Sequence, residues 1–214
     1  MVKIAPSTDP AKDFESLMNL VKDVQNEAHF LHVDVMDGKF VQNTTFGSDI
    51  VAKINANTGM MLDVHLMVKN PNVAEFVEAG ANIVTIHYES FKCEFALKRA
   101  LKKIRKLKAL AGISIKPKTK VEDVLKFLPF CDIVLVMSVE PGMSGQKFLE
   151  QTYERVEVLK KYILEHKLNV QIEIDGGVNA ENAKKLVAVG ADILVSGNYV
   201  YSSENRAEAI KSLM

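Results

Sequence analysis

Three short stretches place histidines and carboxylates two residues apart, the spacing that puts side chains on one face of a β-strand. In LHVDVMDGKF they are His32, Asp34 and Met36, and in MLDVHLMV they are Asp63, His65 and Met67. In VQIEIDGG they are Glu173 and Asp175, followed at once by Gly176 and Gly177. Each residue alone has a plain explanation. A single strand histidine is ordinarily hydrogen-bonded within a core, Asp175 can cap its own Asp-Gly-Gly turn, and Met36, Met67 and Met137 can fill apolar space. The combination is harder to dismiss, because two imidazoles and two carboxylates buried at one level are costly unless they hydrogen-bond fully or hold a cation. A His/His/Asp/Asp set of mixed nitrogen and oxygen donors suits one divalent cation, Zn2+, Fe2+, Mn2+ or Co2+, and does not choose among them.

A second chemistry is anion binding. The glycine-rich segments EPGMSGQKF, DGG and SGN follow the last three strand-like runs. Turns of this kind before a helix aim backbone N–H groups at one point, although glycine also serves simply to permit a tight loop. No Lys or Arg lies in the last two turns, so a phosphate there would be held by amides and dipoles.

Positioning these groups falls to a recurring unit, a β-branched run followed by an amphipathic segment. The runs are VKIAPS, FLHVDVM, MLDVHLMV, NIVTIHYE, AGISIKP, DIVLVMSV, VQIEID and ADILVSG. Helical patterning such as FESLMNLVKDV, VAEFVEAG, FALKRALKKIRKLKAL and YERVEVLKKYILEHK separates most of them. After the second run, NTTFGSDIVAKINANTG predicts a loop and then a short helix from about Ser48. Thr119 stands three residues before Glu122 at a capping-box spacing, and Asn179 precedes AENAKKLVAVG as a helix start. Gly80 and Gly190 stand where a left-handed C-terminal cap is expected. Strands alternating with helices imply a parallel sheet. Eight such units predict an α/β fold, a single (β/α)8 TIM barrel over residues 1–214, with its chemistry at the C-terminal ends of the strands. The rival, an open doubly wound sheet, would carry a GxGxxG turn after the first strand, and IAPSTDP is nothing like one.

Bulk composition sets the outer limits. The 214 residues are 48% hydrophobic, enough for a packed core, and 27 basic residues balance 27 acidic ones. That balance offers no basic stripe for nucleic acid and no acidic tail. Cys93 and Cys131 lack CxxC spacing and fit reduced residues of a cytoplasmic protein. There is no apolar signal region, and no run approaches the roughly twenty apolar residues of a membrane span.

Four segments, HVDVMDGKFVQNTTFG, DVHLMV, VMSVEPGMSGQKF and IEIDGGVN, together resemble the ribulose-phosphate 3-epimerase family, in order, from Ile4 to Tyr199. The resemblance implies a TIM-type barrel with one divalent cation and the interconversion of D-ribulose 5-phosphate and D-xylulose 5-phosphate. Carried over by motif, His32, Asp34, His65 and Asp175 match the metal ligands, and Asp34 and Asp175 also match the acid/base pair. Ser7 and His65 match substrate contacts. Gly142, Met143, Ser144, Gly145, Asp175, Gly176, Gly177, Gly197 and Asn198 match the segments around the sugar phosphate. Met36, Met67 and Met137 would ring the pocket and keep water from the enediolate. The resemblance also implies a homo-oligomer, with a small-molecule sugar phosphate as its partner.

Several positions depart from the family pattern. After Ser7 the usual Ile-Leu-Ser-Ala-Asp-Phe is replaced by Thr-Asp-Pro-Ala-Lys-Asp-Phe, one residue longer. Gln42 stands where proline is usual, Lys116 where asparagine is usual, and Glu140, Met143 and Ser144 interrupt the common VNPGFGGQ. These changes touch the pocket, so a hexulose phosphate, D-allulose 6-phosphate, is the alternative substrate. Lys116 at a strand end allows a further alternative, a Schiff-base aldolase. Related decarboxylase and aldol-type barrels carry Asp-x-Lys where this chain reads Asp63-Val64-His65. A non-catalytic sugar-phosphate binder would have no need of both aspartates.

Overall fold

The computed structural model of the chain describes residues 2–214. Its strands are β1 (Lys3–Pro6), β2 (Leu31–Met36), β3 (Leu62–Met67), β4 (Ile83–His87), β5 (Leu110–Ile115), β6 (Ile133–Met137), β7 (Gln171–Asp175) and β8 (Ile193–Ser196). Between and after them lie α1 (Phe14–Val24), α2 (Ser48–Asn57), α3 (Val73–Glu78), α4 (Glu94–Lys106) and α5 (Glu122–Leu125). They are followed by α6 (Thr152–Glu165), α7 (Ala180–Val189), α8 (Asn198–Tyr201) and α9 (Arg206–Lys211). Every expected run is a strand, and the helix expected near Ser48 is α2.

All neighbouring strands pair in parallel, in the order β1-β8-β7-β6-β5-β4-β3-β2. The remaining gap between β1 and β2 is closed by a bridge from Ser7 to His32, so the sheet is a nearly closed barrel. The amide of Thr8 donates to the His32 carbonyl at 2.9 Å and that of His29 to the Ile4 carbonyl at 2.9 Å. Ring closure is thus made by the residues that carry the first chemical motif.

Period two then divides each strand. Val33, Val35, Val64, Leu66, Val84, Ile86, Ile113, Val134, Val136, Ile172, Ile174 and Leu194 pack outward with helix residues such as Leu17, Leu101, Val156 and Leu186 in one continuous core. Ala5, Ile83, Ile133, Ile193 and Val195, with Phe30, form a separate cluster inside the barrel. Leu135, Met137 and Val139 form another inside. Most of the remaining inward positions are polar and buried: His32, Asp34, Asp63, His65, Thr85, His87, Ser114 and Glu173.

A side-chain device repeats around the opposite end. Asn82, Asp132 and Asp192 each precede a strand, and each accepts the backbone amide of Leu62, Ala111 or Ile172 in the preceding strand, at 2.8, 2.8 and 2.9 Å. In the sequence these are the Asn or Asp of ANIVT, CDIVL and ADILV. Asp132 also takes Arg105 from α4, and Asp192 takes Lys160 from α6, which ties helices to the barrel.

Local helix signals mostly act as expected. Asn179 accepts the amides of Glu181 and Asn182 and forms a capping box at α7, which ends on Gly190 at φ +116°. Gly80 also takes a positive φ of +105°. The Thr119 capping box is a correction. Helix α5 begins after Val121 without a side-chain cap, and the Thr119 hydroxyl donates to the carboxylate of Glu89. A half-buried charged acceptor outcompetes an exposed helix amide for that hydroxyl. Cys93 and Cys131 are both free thiols. Among the described residues, no helix is long and apolar enough to cross a membrane.

Replacing Asp192 by Ala strands the Ile172 amide and frees α6 from the barrel. Chemical denaturation of Asp192→Ala is expected to show a loss of about 1–3 kcal/mol, with the midpoint lowered and the slope unchanged.

Candidate functional site

Strands β2, β3 and β7 deliver His32, Asp34, His65 and Asp175 to one point. One ligand atom from each lies within 4.8 Å of all the others. The Asp34 Oδ1 atom is 3.5 Å from His32 Nε2 and 3.2 Å from His65 Nδ1, while Asp175 Oδ2 is 3.8 Å from His65 Nδ1. His32 and His65 are fully buried, and Asp34 nearly so. Asp34 is fixed further by Ser7, whose hydroxyl donates to Oδ2 at 2.6 Å. That bond crosses the β1–β2 closure, so barrel geometry and carboxylate geometry are one feature.

The His32 ring is oriented from below. Its Nδ1 contacts Asp63 Oδ2 at 2.6 Å, with Glu173 Oε1 3.7 Å away. Burial resists ionisation of Asp63, yet the His32 charge and hydrogen bond hold its carboxyl below the usual range. An ionised Asp63 requires a proton on His32 Nδ1 and leaves Nε2 facing Asp34, where it has no hydrogen-bond partner among the described residues. A buried nitrogen without a partner, beside two carboxylates and a second imidazole, is what a divalent cation would satisfy. The donor set therefore fits the expected metal, which these four residues would hold, with Asp63 orienting His32.

Electrostatics set the carboxylates apart. Burial pushes Asp34 up, but the two imidazoles beside it, His32 and His65, overcome it and leave the group far below its usual range. Asp175 moves the other way, to about 6, driven by burial and then by the charge of Asp34. Glu173 is pushed well above its usual range by burial and by Asp63. For His32, burial opposes the charged form, while Asp63 and Asp34 on either side raise it well above the ordinary value. Two carboxylates facing one point with opposite proton preferences are an acid/base arrangement.

Above this cluster opens a cavity of about 310 Å³. The expected residues Ser7, Asp34, Met36, Met67, Met137, Gly142, Met143, Ser144, Gly145, Asp175, Gly176, Gly177, Gly197 and Asn198 all line it. His32 and His65 lie beneath, out of the lining. The three methionines are buried and form an apolar collar near the carboxylates. Gly177 sits at φ +63°, where an added Cβ would lie 2.8 Å from the Phe148 amide nitrogen and 2.9 Å from the Gln146 carbonyl oxygen. This close approach lets the turn after β7 pack against the loop after β6. Lys116 is placed differently. Its ammonium lies 4.1 Å from the centre of the Phe40 ring, outside the cavity lining.

The lining also includes residues to which sequence reasoning assigned no role, among them Asp9 and Val139, and Asn179, expected only as a helix start. Asp9 belongs to the altered loop after β1. Burial, then the charge of Asp34, raises its carboxyl to about 6. Asp63 and Glu173 were visible by period two, but their support of His32 depends on pairing between strands.

Comparison with known proteins agrees with this geometry. The Ribulose-phosphate 3 epimerase family matches residues 3–201. A ribulose-phosphate 3-epimerase of Chlamydia muridarum is 40% identical over 209 residues, covering 95% of this chain and 90% of its own. One from Bacillus subtilis is 39% identical over 217 residues, covering 100% and 98%. Among solved structures, a KGPDC from Streptococcus mutans superposes with a TM-score of 0.74 at 13% identity, over 100% of this chain and 95% of that one. At that identity it speaks for the barrel alone.

Removing the carboxylate under His32 should loosen the cluster without touching the cavity. Chelator competition on Asp63→Ala is expected to show divalent-cation affinity reduced about 10–100-fold.

Proposed function

This chain belongs to the ribulose-phosphate 3-epimerase family, and from that premise we propose that it inverts C3 of a ketose phosphate, interconverting D-ribulose 5-phosphate and D-xylulose 5-phosphate. The observation that carries the reading is the approach of Asp34 and Asp175, from strands on different sides of the ring, to the same two imidazoles. Epimerisation next to a carbonyl needs a base on one face of C3 and an acid on the other. Asp34 and Asp175 serve as that pair and exchange roles in the reverse direction.

Each side chain has a defined task. Asp34, held ionised and pinned by the Ser7 hydroxyl, withdraws the C3 proton on one face. Asp175, whose environment favours the protonated form, delivers a proton on the other. His32, His65, Asp34 and Asp175 would hold the divalent cation, which as a Lewis acid stabilises negative charge on the substrate oxygens. Met36, Met67 and Met137 exclude bulk water from the enediolate. Backbone amides of Gly142–Gly145, Gly176, Gly177, Gly197 and Asn198 receive the phosphate, in a cavity lining that carries no Lys or Arg.

The alternative substrate, D-allulose 6-phosphate, is favoured by one specific feature, the lengthened loop that brings Asp9 into the lining. The position of Lys116 over Phe40 gives the Schiff-base reading no support. We further read residues 1–214 as one barrel domain of a cytoplasmic homo-oligomer.

Kinetics on the pentulose and hexulose phosphates, with metal-stripped and reloaded protein, decide the substrate. Turnover is expected to favour ribulose 5-phosphate, to vanish on stripping and to return on reloading. Asp34→Asn and Asp175→Asn are each expected to lower kcat about 10²–10⁴-fold while far-UV circular dichroism stays unchanged. Near-normal turnover in either variant refutes the two-carboxylate mechanism.

A further inference from the structure

The mechanism leaves unused a second chain of buried polar groups, running away from His65. Its Nε2 lies 2.9 Å from Nε2 of His87, and Nδ1 of His87 lies 3.0 Å from Glu89 Oε2. The other oxygen, Glu89 Oε1, accepts the backbone amide of Lys116 at 2.8 Å and the hydroxyl of Thr119. His65 and His87 are fully buried, their ring centres 4.9 Å apart, and Phe40 covers the His87 ring at 4.7 Å.

With an ionised Glu89 and neutral imidazoles, proton counting along this chain gives one arrangement. The Lys116 amide can only donate, so Glu89 Oε1 must accept. Burial opposes ionisation of Glu89, but the hydrogen bonds from His87, the Thr119 hydroxyl and the Lys116 amide hold its carboxyl down at about 2, so it is an ionised carboxylate and its Oε2 is an acceptor as well. His87 must then carry its proton on Nδ1. A neutral His87 has a bare Nε2, which can accept only if His65 carries a proton on its own Nε2. A neutral His65 protonated there presents a bare Nδ1 toward Asp34 Oδ1, 3.2 Å away, and toward Asp175. Two acceptors facing each other at that distance call for a cation between them.

We propose that Glu89 is a positioning residue: acting through His87, it selects the tautomer of His65 and so turns the Nδ1 lone pair of that ring to the cation. The inference rests on the reading of His65 as a metal ligand given above. It gives His65 a relay of two hydrogen bonds and leaves the Asp63–His32 arm as an independent second one.

Glu89→Gln tests the direction of the relay as well as its presence. The Lys116 amide still requires an acceptor, so the Gln carbonyl must occupy the place of Oε1 and its NH2 group must face His87. Every proton in the chain then reverses, and His65 is left protonated on Nδ1. Zn2+ affinity by chelator competition is expected to fall about 10–100-fold in Glu89→Gln, and by less in Glu89→Ala, which releases His87 without reversing it. Nitrogen-15 NMR is expected to show His87 protonated on Nδ1 in the unsubstituted protein and on Nε2 in Glu89→Gln, with His32 unchanged in both. Equal Zn2+ affinity in Glu89→Gln and the unsubstituted protein overturns the inference. So does a larger loss in Glu89→Ala, which marks a merely structural role, or a His87 protonated on Nε2 before substitution. Failure of the unsubstituted protein to bind Zn2+ would instead remove the metal reading, and this inference with it.

Discussion

The convergence of two buried imidazoles, the buried Asp34 carboxylate and the half-buried Asp175 carboxylate, one ligand atom of each within 4.8 Å of the others, is the constraint on which the rest of the site depends. Such a cluster is costly in a protein interior unless a positive charge sits among its acceptors. Here each imidazole is tethered on its far side, His32 by Asp63 and His65 by His87. Both rings therefore aim a nitrogen inward, and neither can turn away to solvate itself. The same arrangement that makes the cluster unfavourable by itself makes its donor set fit a divalent cation.

The barrel bears that cost because its two apolar shells are elsewhere. Outward-facing valines, isoleucines and leucines knit the strands to the helices in one continuous core. Inside, Ala5, Phe30, Ile83, Ile133, Ile193 and Val195 pack a separate layer. Polar residues occupy most of the remaining inward positions, so the chemistry rests on a filled base. Asn82, Asp132 and Asp192 fasten alternate strands at the far end from the cavity. The Ser7–His32 bridge closes the ring at the catalytic end, and the Ser7 hydroxyl reaches Asp34 across it. Disturbing the closure therefore disturbs the carboxylate.

Much of this was legible along the chain. Period two in LHVDVM and LDVHLM places His32, Asp34, Asp63 and His65 on one side of their strands whatever surrounds them, because the alternation is a property of the extended backbone. The turn glycines were legible for a similar reason: Gly176 and Gly177 take φ values of +118° and +63°, where a side chain would be strained. Thr119 shows where local reading fails. Its spacing to Glu122 is right for a cap, but Glu89, thirty residues earlier, is near enough in space to take the hydroxyl. The contacts of Asp63, Glu173 and His87 were hidden for the same reason, since each reaches a residue of another strand.

By itself, the sequence determined the eight-unit alternation, the face on which each chemical residue stands and the glycine turns that frame the cavity. Those features follow from local backbone geometry, which a residue and its near neighbours control. Only the tertiary structure decided which polar groups share a hydrogen bond, that Lys116 rests on Phe40 outside the cavity, and that Asp9 enters it. Those outcomes depend on strand register and ring closure, which bring together residues far apart in the chain.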